Sequence, residues 1–241
     1  MPLHERLDVG GRVPTTYYAP GSGVGRAMRA APALFGDRAR IGVVGLGAGT
    51  LACYARPGQD WRFYEIDPEV ERIARAPADF TFLSACTPRA PVVIGDARLT
   101  LSQDRHAFDM LVIDAFSSDA VPLHMLTSEA FSIYHQRVGD RGLLLLNLTN
   151  HWIDLPEVVG DTAARNGWTA VILPYRPDPA AARLKATPSI WVAMSRSPER
   201  IRQFEAETGA GWRPLGDHGK PMWTDDYASV LPYIRIGGGW R

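Results

Sequence analysis

The stretch Ile41-Gly42-Val43-Val44, followed by Gly45-Leu46-Gly47-Ala48-Gly49 and then Leu51-Ala52-Cys53-Tyr54-Ala55, sets the frame for the whole chain. An apolar run of that length, ended by glycines, predicts a buried strand, a tight turn and the start of a helix. A second run, Trp61-Arg62-Phe63-Tyr64, predicts another strand and ends on Glu65-Ile66-Asp67-Pro68. Glu65 stands 20 positions after Gly45, the separation at which a β-α-β nucleoside site places the acid that holds a ribose. Glycines let the turn approach a ligand without a Cβ clash, and a helix N-terminus offers free N–H donors. Gly45, Gly47, Gly49 and Glu65 are therefore candidate nucleoside contacts. A glycine turn alone also arises from packing; strand, turn, helix, strand and acid in register point to a cofactor site.

Working outward, helix and strand patterns alternate. Pro68 to Ala76 predicts a helix opened by proline, with acids in its first turn. Val92-Val93-Ile94-Gly95 predicts a third strand ending at Asp96, and 97–104 a short helix. Phe108 to Ile113 predicts a fourth strand ending at Asp114, and a polar loop over 115–122 precedes a helix ending at Val138. Gly142 to Leu148, uniformly apolar, predicts a strand covered on both faces. Beyond it come a helix over 155–166 stopped by Gly167, strands over 168–173 and 189–195, and a helix over 198–208. This alternation predicts an α/β fold with a Rossmann-like, doubly wound, mostly parallel sheet. Ligands on such sheets lie beyond the carboxyl ends of the strands, where Glu65, Asp96 and Asp114 fall. An aspartate after a strand is also a common turn former or helix cap, but three on successive strands favour a site.

Bulk properties narrow the classes. The chain has 241 residues, 26 basic and 26 acidic, so no global field gathers nucleic acid or an anionic membrane. No apolar stretch approaches the ~18 residues that would span a bilayer, and the N-terminus lacks an apolar signal core. The cytoplasm is the expected location. The two cysteines, Cys53 and Cys86, are too few for a disulfide framework or a cysteine-rich zinc site, and are expected to be small packing residues. No metal is expected.

The stretches Gly45 to Gly49, Tyr64-Glu65-Ile66-Asp67-Pro68, Gly95-Asp96-Ala97-Arg98 and Phe108 to Asp119 together resemble the polyamine aminopropyltransferases. These spermidine synthase-like proteins are built on the class I methyltransferase fold. The likeness covers about 41 to 150, and extends to Thr224-Asp225-Asp226-Tyr227. It implies a seven-stranded sheet over residues 41–241, preceded by a short N-terminal β extension over 1–40. It implies transfer of an aminopropyl group from decarboxylated S-adenosylmethionine to a polyamine such as putrescine, leaving methylthioadenosine, in a homodimer. By the same resemblance Glu65 holds the ribose and Asp96 the adenine, its neighbour Ala97 is a further cofactor contact, and Asp114 orients and deprotonates the amine. Asp119, Tyr17, Tyr18 and Asp225 fall to polyamine binding. Their alternatives are a turn for Asp119, strand packing for the tyrosines and a solvated loop for Asp225. His124, a lone histidine, is expected to be structural. One departure stands out: Ala48 occupies the turn position where the family's synthases usually carry an aspartate. A methyltransferase using S-adenosylmethionine itself, or a non-catalytic nucleoside-binding domain, are the competing readings.

Overall fold

The computed structural model describes residues 12–115, 122–150 and 152–234. Within them lies one sheet of eight strands: β1 (Arg40–Val44), β2 (Asp60–Glu65), β3 (Val92–Ile94), β4 (Met110–Ile113), β5 (Leu143–Asn147), β6 (Thr169–Tyr175), β7 (Ser189–Ser195) and β8 (Arg213–Leu215). Their spatial order is β3-β2-β1-β4-β5-β7-β6-β8. β1 to β5 pair in parallel, whereas β7 is antiparallel to both β5 and β6, and β8 is antiparallel to β6. Only β7 and β8 therefore run against the other six. The expected mostly parallel sheet is present, with eight strands rather than seven. Arg213-Pro214-Leu215 is too short and too polar to announce the eighth.

Seven helices cover the two faces: α1 (Gly23–Phe35), α2 (Pro68–Arg75), α3 (Phe82–Cys86), α4 (Ala97–Gln103), α5 (Ser128–Val138), α6 (Leu155–Arg165) and α7 (Pro198–Thr208). Side chains alternate along each strand, so each strand feeds both faces. Leu111, Ile113, Leu144 and Leu146 join Leu101, Phe131, Tyr134 and Val158 of α4, α5 and α6 in one core. Met110, Val112, Leu143 and Leu145 join Val24, Met28, Leu83, Ile201 and Phe204 of α1, α3 and α7 in the other. Local signals explain the helices. α2 starts on Asp67, whose carboxylate accepts from Glu69 N–H, has proline in its first turn, and carries Glu69 and Glu71 early against Arg72 and Arg75 late.

The N-terminal region differs from the expected β extension. Residues 1–11 lie outside the described part, and 12–39 hold no strand. They form a 3-10 turn, Thr16–Tyr18, and helix α1. α1 buries Val24, Ala27, Met28, Ala31 and Leu34, a helical spacing hidden in sequence by its glycines and by Pro32. Gly23 is forced: a Cβ there would fall 2.5 Å from the Trp191 Cβ on β7. The segment after the glycine turn is likewise a 3-10 turn, Thr50–Tyr54, rather than an α-helix; Ala55 after it is already extended, and Pro57 disfavours helical backbone at Arg56. The two cysteines are not separate packing residues either. Cys53 and Cys86 form a disulfide with Cα atoms 4.9 Å apart, joining that turn to α3. Among the described residues no helix is long and apolar enough to cross a membrane.

Candidate active site

Beyond the carboxyl ends of β1 to β4 opens a cleft of about 460 Å³. Gly45, Gly47, Glu65, Asp96, Ala97 and Asp114 all line it, with Ile66, His124 and Met125. The three strand-end acids thus share one cavity. Among the described residues its wall carries no lysine or arginine. Gly49 stands outside the wall: its missing Cβ would lie 2.9 Å from Leu83 Cβ, so this glycine serves contact with α3.

Each acid is held by a different device. Glu65, nearly buried, accepts Leu46 N–H on Oε2 at 2.9 Å, and Ile66 and Asp67 N–H on Oε1 at 2.8 and 3.1 Å. A carboxylate oxygen accepts two bonds, so Oε2 keeps a site open to a ligand hydroxyl. Asp96 caps α4, taking Leu99 N–H on Oδ1 at 3.0 Å, while its Oδ2 stands 3.4 Å from His124 Nε2. Asp114 receives Asn147 Nδ2–H on Oδ1 at 2.7 Å and the Tyr18 hydroxyl on Oδ2. Burial pushes the Asp114 carboxyl up to about 7, against the two hydrogen bonds that favour its charged form.

The glycine turn is built for close approach. Gly45 has φ +91°, and a Cβ on it would lie 2.4 Å from the Asp114 carbonyl oxygen. Gly47, at φ +51°, has nothing within 4 Å of its would-be Cβ and faces open space. Tyr17 and Tyr18 sit on the 3-10 turn, not on a strand; Tyr18 reaches Asp114 from outside the cleft wall, and Tyr17 meets the Tyr18 hydroxyl. Burial raises the Tyr17 phenol to about 12, and raises that of Tyr18 as well, the charge of Asp114 adding to both.

Asp225 is drawn elsewhere. It is chelated by the Arg98 guanidinium, accepts the Thr127 hydroxyl at 2.8 Å, and is not part of the cleft wall. Hydrogen bonding to Arg98 holds its carboxyl below the usual range. Asp119 lies outside the described residues. Sequence reasoning missed Asn147, whose only trace was one polar residue closing the run Leu143 to Leu146. It also missed the cleft-side place of His124, a turn residue with no spacing to mark it. Among the described residues no group of three or more His, Cys, Asp or Glu is placed to hold a metal.

No protein-family model matches the chain. Over 145 residues it is 25% identical to a "Probable polyamine aminopropyl transferase" of Bifidobacterium longum (strain NCC 2705), covering 56% of the chain and 30% of that protein. Over 114 residues it is 30% identical to a "Polyamine aminopropyltransferase" of Vibrio vulnificus (strain CMCP6), covering 45% of the chain and 37% of that protein. The matches thus span about a third of these relatives' length. Among solved structures, a probable spermidine synthase from Corynebacterium glutamicum ATCC 13032 superposes with a TM-score of 0.59 at 21% identity, over 86% of this chain and 81% of that one. The chain carries the class I methyltransferase-like fold of the spermidine synthases, and its sequence likeness is to the polyamine aminopropyltransferases.

Proposed function

We propose that the cleft binds an adenosine-bearing sulfonium beside a cationic amine, and that the chain transfers an aminopropyl group between them. The observation that carries this is the convergence of Glu65, Asp96 and Asp114 on one cavity whose described wall holds no basic side chain beyond His124. Such a wall suits two cations. The open acceptor on Glu65 Oε2 fits a ribose hydroxyl, and Gly47 leaves room for the ligand. Bound decarboxylated S-adenosylmethionine supplies an electrophilic carbon whose C–S bond breaks onto neutral sulfur as the amine lone pair forms C–N. The chain's own work is to hold the amine and take its proton. A free amine has a pKa of about 10, so it arrives protonated and needs a nearby base. Asp114, raised to about 7, is suited to that exchange near neutral pH. Pairing into a homodimer belongs to the same reading.

One residue favours a second reading. Ala48 leaves the glycine turn without a carboxylate for the amine of a decarboxylated donor, and S-adenosylmethionine itself would not need one there. The two separate cleanly. Calorimetry with both donors, followed by mass measurement of putrescine incubated with each, is expected to show binding of the decarboxylated donor and a gain of one aminopropyl group. Methyl transfer, or indifference to every amine tried, would overturn the proposal.

A further inference from the structure

Asp114 has one partner on each oxygen, and the two partners differ in kind. On the Oδ1 side stands Asn147, 5% exposed, donating from Nδ2 at 2.7 Å. Its amide cannot be turned round. Asn147 Oδ1 accepts Thr149 N–H at 3.0 Å and the Thr149 hydroxyl at 2.5 Å, and a flipped amide would set N–H against N–H. The Thr149 hydroxyl in turn accepts Ile190 N–H from β7 at 3.0 Å, which aims its own proton at Asn147. This row of donors ends on Asp114 Oδ1, so that oxygen meets a donor in either protonation state.

The Oδ2 side is reversible, because a phenol both gives and takes a hydrogen bond. The Tyr17 and Tyr18 hydroxyls are 3.0 Å apart, and Tyr18 also meets Asp114 Oδ2. With Asp114 charged, Tyr17 donates to Tyr18 and Tyr18 to Oδ2. With Asp114 protonated, Oδ2–H donates to Tyr18 and Tyr18 to Tyr17. Only protons move between these arrangements. The turn presenting the pair is held against its own backbone preference. Thr16, β-branched, has φ +56°, and the Tyr18 carbonyl is pinned by the Tyr54 hydroxyl at 2.6 Å. Backbone of this kind persists where surrounding contacts over-determine it.

We infer that Asn147 is a positioning residue that confines the Asp114 proton to Oδ2, and that Tyr18 and Tyr17 relay that proton out of the cleft. The inference rests on aminopropyl transfer as the reaction. The amine N–H proton passes to Oδ2, Tyr18 takes it while passing its own to Tyr17, and Tyr17 releases one to a solvent base, restoring the carboxylate. The groups facing Asp114 are Tyr17 and Tyr18 from the N-terminal turn and Asn147 from β5. Glu65, Asp96 and His124 share the cleft. With no lysine or arginine on the described wall, the two hydrogen bonds are what favour the carboxylate.

The test uses the full chain with Asn147→Leu, Tyr18→Phe and Tyr17→Phe. Folding is checked by methylthioadenosine binding. The titration of Asp114 is read from its carboxylic C=O stretch in infrared difference spectra, with Asp114→Asn as blank. Asn147→Leu and Tyr18→Phe each remove a donor to the charged form, so each should raise the apparent pKa by about one unit. The acid limb of the transfer profile should follow. Tyr17→Phe should leave that titration in place while lowering turnover about three- to tenfold. If folded Asn147→Leu and Tyr18→Phe both titrate at the parent pH, the inference falls. If Tyr17→Phe turns over like the parent, the relay falls. A parent that titrates as described yet makes no aminopropylated amine would sink the transfer reading and leave the Asn147 assignment standing.

Discussion

At the scale of single residues, Asp114 ties the candidate chemistry to stability. Burial, only partly offset by Tyr18 and Asn147, raises its folded pKa to about 7, whereas an unfolded aspartate titrates near ~3.9. The folded chain therefore holds this proton more tightly. The stability so contributed is complete below about pH 4 and is lost as pH rises through about 7. Three pH units correspond to at most about 4 kcal/mol, and access from the cleft cuts this to roughly 2 kcal/mol. Asp114→Asn never ionises, so it should exceed the parent by about 2 kcal/mol near pH 8.5 and lose that lead toward pH 4 in urea unfolding. A flat difference would mean that Asp114 titrates as an ordinary acid. Its transfer rate should fall by about 100-fold or more, with methylthioadenosine affinity kept. The glycine turn offers a sharper contrast. Gly45→Ala should cost at least about 2 kcal/mol, from positive φ plus a Cβ 2.4 Å from the Asp114 carbonyl oxygen. Gly47→Ala, facing open space, should cost about 1 kcal/mol of stability yet weaken nucleoside binding about tenfold or more. Equal losses of affinity and stability at Gly47 would make it a turn former only. Glu65, Asp96 and Asp114 were legible because strand ends are legible. Asn147 was not, since its role depends on contacts with Thr149 and Asp114 that no spacing encodes.

At the scale of elements, the disulfide changes how the glycine turn is held. Cys53 follows that turn, and Cys86 closes α3, whose Leu83 abuts Gly49. With the cysteines 33 positions apart, the crosslink restricts the unfolded chain by about 3–4 kcal/mol. Replacing both by serine should lower the unfolding free energy by about 3 kcal/mol in urea titrations. Because the same bond fixes α3 against the turn, methylthioadenosine affinity should fall several-fold as well. Lower stability with unchanged affinity would make the bond a staple with no hold on the site. The bond also bears on location, since reducing compartments keep such thiols apart, and a cytoplasmic chain would be expected to carry them free. Two cysteines 33 positions apart gave the sequence no framework to count, and the contact appears only once α3 is folded against the 3-10 turn. α3 itself is five residues long, below the length at which periodicity speaks. The longer helices α2, α5, α6 and α7 were legible because each has an apolar stripe with a proline or a cap at its start.

At the scale of the molecule, the sheet has a parallel half that bears the cleft and an antiparallel edge that closes the fold. Hydrophobic runs announced the first half, because strands buried on both faces read as continuous apolar segments. The edge strand β8 and the segment after it could not be read that way. Their placement is decided by a few distant contacts. Trp223, 1% exposed, packs edge-on to Tyr233 at 5.7 Å and accepts Ser128 N–H on its carbonyl at 2.9 Å. Asp225 follows two residues later and binds Arg98, in a pair whose side chains are 17% exposed on Arg98 and 42% on Asp225. These two anchors differ in weight. Removing a fully buried indole leaves a cavity and costs about 3–5 kcal/mol, whereas an ion pair open to solvent on its carboxylate side contributes about 1 kcal/mol. Calorimetry should therefore show Trp223→Ala melting about 10 °C below the parent and Asp225→Ala within about 3 °C of it. The sheet resembles that of the spermidine synthases, and the segment carrying Trp223 seats against the start of α5, close in sequence to the turn that puts His124 and Met125 on the cleft wall. Trp223→Ala should then weaken methylthioadenosine binding before global unfolding, as Ser128 loses its partner and the turn holding His124 and Met125 shifts. If affinity holds until the chain melts as one unit, the tail supports the fold and not the cleft.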